Sequence, residues 1–459
     1  MVAHPSNAMN LETEIAEELA RLAPRPQTLE DIGLSQTFLT DLIAKHLLDG
    51  GVLSMAGLVT RLTLPGRIIE SLLHFMRQEA KIEVLQEESE GSGLRYGLTD
   101  RGRTDATNAM FRSGYVGPCP VPLEAYAKIA RAQTVHDRSI TKDAMKKAFD
   151  GVVLEESLRD QLGPSLNSVR AIFVYGPAGT GKTYVAQKLR RLFRDRVLIP
   201  HAITINESVV EVFDPIVHRT IDTEMNGPDL MLDQGHDPRY VCCERPVVIT
   251  GGELTADMLE IQYDESSRQY RAPLQLKANN GMFMIDDMGR QRVAPETVFN
   301  RWIVPMEEKI DYLHLGSGRH FSVPFDVVLI FSTNMHPLDL ADEAFLRRIG
   351  YKIKFNYLSR DAYRSIWKDE CRNLGVIYDE EVLDFVLQEL HATEDVELLP
   401  CHPRDLLGIA VDLATYVDHP RRLRKQHLRW AWSNYFVSLD NDDRSVTMPT
   451  TIDRSTTNV

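Results

Sequence analysis

Apolar residues recur with two different periods along the chain, and the changes of period divide it. Leu39, Leu42, Ile43, His46 and Leu47 fall at helical spacing, and Gly50-Gly51 ends the run. A short segment, 54–62, stops before Pro65. Pro65 opens a third helix as its first residue, where a missing N–H costs nothing, and Ile68, Ile69, Leu72, Leu73, Phe75 and Met76 supply its apolar face. Residues 82–85 and 94–98 read as two strands joined by the acidic, glycine-containing turn 87–93. Gly117-Pro118-Cys119-Pro120-Val121-Pro122 reads as a linker, and the basic stretch 128–147 as a solvated helix face. From 152 to about 355 strand-like runs alternate with helices, which predicts an α/β unit with a largely parallel sheet. The pattern is helical over 358–436, and the tail from Leu439 is too polar to order. The predicted division is therefore 1–34, flexible or partly helical; 35–112, three helices and two strands; 113–150, linker; 151–357, α/β core; 358–437, helical unit; and 438–459, disordered tail.

Length agrees with several units, since 459 residues exceed one ordinary domain. Hydrophobic residues at 43% and charged residues at 26% exclude a disordered chain. The balance of 52 basic against 66 acidic side chains, formally −14, has the wrong sign for a protein that coats nucleic acid, though it leaves room for one small basic site. Cys119, Cys242, Cys243, Cys371 and Cys401 form neither a disulfide framework nor a paired CxxC pattern, which predicts a reducing, cytoplasmic compartment. The start MVAHPSNAMN has no basic flank before an apolar run, so no signal peptide is expected. The longest apolar run, 327–331, is far too short for membrane insertion.

Chemistry concentrates in three places. Gly176-Pro177-Ala178-Gly179-Thr180-Gly181-Lys182-Thr183 fits G-x-x-x-x-G-K-[ST], between an apolar run (171–175) and a helical stretch (184–193). Glycines let backbone N–H groups close around a phosphate; Lys182 would meet the β- and γ-phosphates, and the Thr183 hydroxyl would bind Mg²⁺. About a hundred residues on, an apolar strand ends in Asp286-Asp287. Asp286 would hold the Mg²⁺ shell and Asp287 would polarise the attacking water, although a strand ending in a turn looks the same in isolation. A third strand, 326–331, leads into Asn334, an amide that can orient water without adding charge; alone, it is as readily a turn former.

Together with a downstream arginine pair and a helical C-terminal unit, these motifs resemble an AAA+ ATPase over roughly 152–436. The stretch Lys277-Ala278-Asn279-Asn280-Gly281-Met282-Phe283-Met284-Ile285-Asp286-Asp287-Met288-Gly289 is similar to one shared by bacterial enhancer-binding activators and MoxR-like ATPases. Two hairpins, 258–272 and 309–323, resemble the pore-facing hairpins of that pre-sensor-1 branch. The resemblance implies a P-loop α/β core with an all-helical lid, ATP and Mg²⁺ as cofactors, and a ring, hexameric by analogy. It places the arginine finger at Arg348, with Arg347 as runner-up, and the lid arginine that senses the γ-phosphate at Arg404. The front segment resembles a winged helix-turn-helix domain.

Departures from the pattern matter as much. Asp287 stands where most AAA+ ATPases have glutamate, one methylene longer, so slow hydrolysis is expected. The sigma-contacting loop of enhancer-binding activators is absent, replaced by a long segment, 201–275. Within it, Cys242-Cys243 near His236 has the wrong spacing for a tetrahedral metal site, so buried reduced thiols are expected; Gly251-Gly252-Glu253 has no assigned role beyond a turn. Residues 1–112 carry sixteen acidic against eleven basic side chains. In the third helix Arg67, His74 and Arg77 are offset by Glu70 and Glu79, so a protein partner is favoured and DNA disfavoured. The expected function is an Mg-ATP-dependent oligomeric ATPase that remodels or assembles a protein client. An ATP-regulated transcription factor and a slow-hydrolysing assembly scaffold are the alternatives.

Overall fold

The computed structural model describes residues 5–85, 94–137, 139–168, 170–193, 195–221, 235–316, 318–417 and 422–436. The acidic turn 87–93, Ser317 of the second hairpin's turn and the tail 438–459 lie outside the described residues.

The N-terminal part runs α1 (Pro5–Leu22), α2 (Leu29–Ile32), α3 (Gln36–Gly50), β1 (Leu53–Ser54), α4 (Met55–Leu62), α5 (Gly66–Gln78), β2 (Ile82–Leu85), β3 (Arg95–Leu98) and α6 (Asp100–Arg112). The Ser35 hydroxyl accepts the Phe38 N–H at 3.2 Å to start α3, and Gly51 ends it at a φ of 71°. Pro65 precedes α5 as its N-cap instead of serving as its first residue: its ψ of 141° is extended, and the helix opens at Gly66. The segment 54–62 resolves into the end of a short strand and a helix. The three strands pair antiparallel in the order β1-β3-β2, against a core that includes Leu39, Leu42, Leu58, Ile69, Leu72 and Met76.

The segment expected as a linker is built into the fold. It holds β4 (Val121–Pro122), α7 (Leu123–Ala132) and α8 (Lys142–Ala148). The Cys119 N–H bonds the Leu62 carbonyl at 2.9 Å, Lys45 Nζ donates to the Tyr115 carbonyl at 2.6 Å, and Cys119 and Val121 are fully buried. Proline and glycine there mark tight turns inside a core, a reading composition alone does not separate from a tether.

The α/β part continues with α9 (Glu156–Leu166), β5 (Ile172–Tyr175), α10 (Lys182–Leu189), β6 (Arg196–Pro200), β7 (Ala202–Ile205), β8 (Ser208–Glu211), β9 (Tyr240–Glu244) and β10 (Val247–Thr250). Next come β11 (Gln262–Asp264), β12 (Gln269–Arg271), α11 (Leu274–Lys277), β13 (Gly281–Ile285), α12 (Pro295–Glu308), β14 (Ile310–His314) and β15 (His320–Pro324). β16 (Val327–Thr333), α13 (Pro337–Leu340), α14 (Glu343–Arg348) and β17 (Tyr351–Lys354) complete it. Five strands form one sheet in the order β10-β13-β16-β5-β17, every pair parallel. β13 and β16 are buried along their whole lengths, which explains their unbroken apolar runs. After β5 the chain crosses to the far edge, returns through β13 and β16, and passes β5 to reach β17. That reversal opens a crevice at the carboxyl ends of β5 and β16.

At the opposite end of the sheet, Asp326 accepts from Thr134 Oγ1 (2.7 Å), the Val135 N–H (2.8 Å) and Asn280 Nδ2 (2.6 Å). Arg245 donates to Asp195, to the Gln133 carbonyl and to the Asn280 carbonyl. Asn279-Asn280 thus serves a buried network that fastens the α7–α8 connection to the sheet, far along the strand from the carboxylates it precedes.

The segment 201–275 contributes most of a second sheet, β11-β12-β8-β7-β4, with β6 and β9 paired beside it. Leu19 and Ala23 from the N-terminal helical segment share its core with Val121, Ile203 and Val210, and the β14–β15 hairpin adds Leu313, Phe321 and Val323. The expected hairpin over 258–272 is shorter than its pattern, because 256–259 forms a 3₁₀ turn. Its tip is tied down: the Gly114 N–H bonds the Arg268 carbonyl at 3.1 Å, and the Arg268 guanidinium lies 4.6 Å from the Phe111 ring centroid.

α15 (Arg360–Leu374), α16 (Glu380–Phe385), α17 (Cys401–Tyr416) and α18 (Lys425–Tyr435) pack around Tyr363, Trp367, Leu406 and Trp432. Among the described residues no helix is long and apolar enough to cross a membrane.

Candidate functional site

The glycine-rich loop leaves β5 and turns into α10. Gly176, Gly179 and Gly181 have φ values of 143°, 80° and 84°, where a side chain is strained. Space is short as well: a Cβ on Gly176 would lie 2.1 Å from the Phe355 carbonyl oxygen, and one on Gly179 would lie 2.7 Å from Cys401 Sγ. Pro177 and Thr180 brace the loop through a 2.8 Å hydrogen bond, and Ala178 sits exposed at its tip.

Lys182, only 7% exposed, donates to the carbonyls of Gly176 (2.8 Å) and Pro177 (2.9 Å) and to Asn334 Oδ1 (2.7 Å). Burial lowers its pKa, and the charges of Asp286 and Asp287 oppose that shift. The next residue, Thr183, donates its hydroxyl to Asp286 Oδ2. Asp286 is itself fixed, its N–H on the Thr250 carbonyl at 2.7 Å and its Oδ1 accepting the Asp287 N–H at 2.9 Å.

Asn334 follows β16 and bridges the other two groups. Its Oδ1 faces the lysine, and its Nδ2 donates to Asp287 Oδ1 at 3.1 Å. Chemistry permits one orientation of that amide, because an ammonium only donates and a carboxylate only accepts. Three parallel strands therefore bring Lys182, Thr183, Asp286, Asp287 and Asn334 into one chain of contacts.

The arginines do not join it. Arg347, with its side chain 79% exposed, pairs with Glu343 at 3.2 Å; Arg348, 34% exposed, pairs with Glu307 at 2.5 Å. Arg404 lies on the first turn of α17, as the sequence motif suggested, but its guanidinium bonds Asp405 at 2.8 Å and is 71% exposed. The residues of the C-terminal helical part that meet the loop are Leu399, Pro400 and Cys401, none of which stands out in the sequence for a role at the site. Their signal was available: they immediately precede the His402-Pro403-Arg404 motif.

Two further groups join the site without a motif to announce them. Gln291 donates to the Asp286 carbonyl at 2.8 Å and accepts the Gly289 N–H at 2.8 Å. Glu253 Oε1 accepts Thr250 Oγ1 and the Gly251 N–H, each at 2.9 Å, and the Gly251 N–H holds its carboxyl below the usual range. Gly251-Gly252-Glu253 is thus a turn at the end of β10, beside the acidic strand. Cys242 and Cys243 lie buried in β9 as free thiols; burial raises both, Cys243 to about 12. Among the described residues no three His, Cys, Asp or Glu side chains cluster to hold a metal.

Residues 359–434 match the model of a domain of unknown function, DUF8689. The sequence matches none of the curated proteins compared with it. Among solved structures, the chain is similar to NtrX from Brucella abortus at 13% identity and a TM-score of 0.40, over 64% of this chain and 59% of that one. It is similar to the RuvB Holliday junction branch migration motor of Thermotoga maritima at 12% identity and a TM-score of 0.32, over 66% and 72% of the two chains. A third similarity is to the complex between the BchI and BchD subunits of magnesium chelatase, at 14% identity and a TM-score of 0.29, over 65% and 94%.

Proposed function

We propose that the protein is a Mg²⁺-dependent ATPase of the AAA+ type that works as a ring, hexameric by analogy, on a protein client recruited through its N-terminal part. The observation that carries the reading is the contact chain Thr183–Asp286 and Lys182–Asn334–Asp287 at the mouth of a glycine loop. ATP is the substrate. A threonine hydroxyl against a carboxylate is a hard-oxygen pair that suits Mg²⁺, which usually takes one or two carboxylates and completes its shell with water and phosphate oxygens. Bound there, Mg²⁺ would neutralise phosphate charge.

The chain's own groups supply the remainder. The backbone N–H groups of the loop and the start of α10 favour phosphate oxygens, and Lys182, already stripped of water, adds a desolvated cation. Asp287 takes the water's proton while Asn334 holds its orientation. Arg348 or Arg347 acts on a neighbouring subunit's nucleotide, which requires leaving Glu307 or Glu343, and Arg404 reaches the γ-phosphate by leaving Asp405. The order of helices and strands over 35–112 supports a winged-helix reading of that part. Glu70 on α5 and Glu79 just after it, beside Arg67 and Arg77, favour a protein surface over a phosphate backbone.

Single-turnover cleavage of ATP with Mg²⁺ tests the reading. Wild type should cleave slowly and Asp287→Asn should fall by roughly 10²–10⁴-fold with nucleotide still bound. An Asp287→Asn protein as fast as wild type would remove Asp287 as the base.

A further inference from the structure

We infer that Gln291 is a positioning residue for hydrolysis, acting through the backbone of Asp287; the inference rests on the reading of Asp287 as the water-activating carboxylate. Asp287 has a φ of 48°, in the left-handed region that residues other than glycine seldom occupy and keep only where their surroundings hold them. An aspartate side chain is short, so the place of its carboxylate is set chiefly by its backbone. The Asp286 carbonyl belongs to the peptide plane whose rotation defines the φ of Asp287. Gln291 Nε2 holds that carbonyl oxygen at 2.8 Å, while its Oε1 holds the Gly289 N–H, also at 2.8 Å, on the far side of Asp287. One amide thus clamps the peptide before Asp287 and the turn after it.

The clamp has an anchor. Gln291 Nε2 also lies 3.4 Å from the Gly251 carbonyl, and Glu253 ties down that glycine through its N–H at 2.9 Å. The Gly251-Gly252-Glu253 turn thereby presents an oxygen to the residue that braces the acidic turn, a role beyond reversing the chain. Two more bonds close the frame, from the Met288 N–H to the Ser332 carbonyl (2.7 Å) and from the Arg290 N–H to the Asp287 carbonyl (3.0 Å). Gln291 reaches the peptide before Asp287 and the turn after it with one side chain, which can be removed by substitution without touching Asp286, Asp287 or Asn334.

Single-turnover cleavage, binding of a fluorescent ATP analogue and thermal melting of the full chain test it. Gln291→Ala should lower the cleavage rate by roughly tenfold to a hundredfold, since misplacing a reacting group by about an ångström suffices for that. Analogue affinity and melting temperature should stay at wild-type values. Gln291→Glu keeps an acceptor for Gly289 but loses the donor to Asp286, so it should also be slow; it carries the comparison if the alanine variant does not fold. Added to Asp287→Asn, Gln291→Ala should cost nothing further, because both act through one carboxylate. A wild-type rate in Gln291→Ala, an equal loss of analogue affinity, or an additive loss in the double variant overturns the brace. If Asp287→Asn cleaves normally, it is the reading of Asp287 that fails, and the brace with it.

Discussion

Lys182 is held by two loop carbonyls and by Asn334, so its charge is satisfied by groups whose other partners line the same crevice. Replacing it with alanine should abolish measurable binding of the ATP analogue while leaving the melting temperature close to wild type; unchanged binding would move the phosphate site elsewhere. A second residue-scale prediction concerns acid. His218 is buried, its Nδ1 accepts the Asp214 N–H at 2.8 Å, and its Nε2 lies 2.8 Å from the Lys277 carbonyl, an arrangement that requires the neutral ring. Burial pushes its pKa down to about 4, and those of His201 and His402 likewise to about 4. As pH falls through 6.5 the unfolded chain takes up these protons and the folded one does not, so stability is lost from about 6.5 down to about 4. The urea midpoint should therefore be lower at pH 5 than at pH 7; equal midpoints would mean these rings are not buried in solution.

β5, β13 and β16 were legible because each is an apolar run with punctuation at its end, and the carboxyl-end residues of these three runs form the crevice. Asp286, Asp287 and Asn334 could be placed from sequence because parallel strands present their ends on one side. Gln291 could not, since it reaches the acidic turn from a loop and stands in no pattern, whereas Cys401 could be found only through the His402-Pro403-Arg404 motif it adjoins. The linker reading failed for a related reason: Cys119 and Val121 are buried by partners, Leu62 and Ile203, that are distant in sequence. One junction in this layer can be tested directly. Arg239 and Asp237 form a buried pair at 2.8 Å, and Arg239 also donates to the Ile32 carbonyl at 3.0 Å, linking α2 to the start of β9. Arg239→Met strands a buried carboxylate and should cost about 3–5 kcal/mol, of which replacing Asp237 by leucine as well should recover a large part. Urea denaturation of the two variants decides it; a loss below about 1 kcal/mol in the single variant would show that water reaches the pair.

Across the whole molecule, Arg347, Arg348 and Arg404 each pair with a carboxylate outside the crevice's chain of contacts. Arg347 pairs with Glu343, and Arg348 with Glu307 and the Ala344 carbonyl; in the proposed ring both would leave these partners for a neighbouring subunit's nucleotide. Mass photometry with ATP and Mg²⁺ should show a closed oligomer, with Arg348→Ala assembling yet cleaving roughly 10³-fold more slowly, as loss of a charge-neutralising arginine predicts. Monomers under every nucleotide condition would end the ring reading. The acidic N-terminal part gives a second expectation: a pool of duplex DNA should not bind tighter than about micromolar at low salt, where phosphate contacts are strongest. Tight, salt-sensitive binding would instead favour the transcriptional alternative.

Residues 113–122, which fasten the N-terminal part to the second sheet, also govern how the protein can be dissected. Ala202 and Val209 of the second sheet sit in one core with Leu39, Leu72, Tyr115 and Cys119. Limited proteolysis should find no cut there, and a gene fragment beginning after Arg112 would express a protein with that shared apolar face bared to water and prone to aggregate. The front part is therefore not an interchangeable module. Any change to the surface it presents has to come on its outer face, residue by residue, while the seam beneath it stays closed.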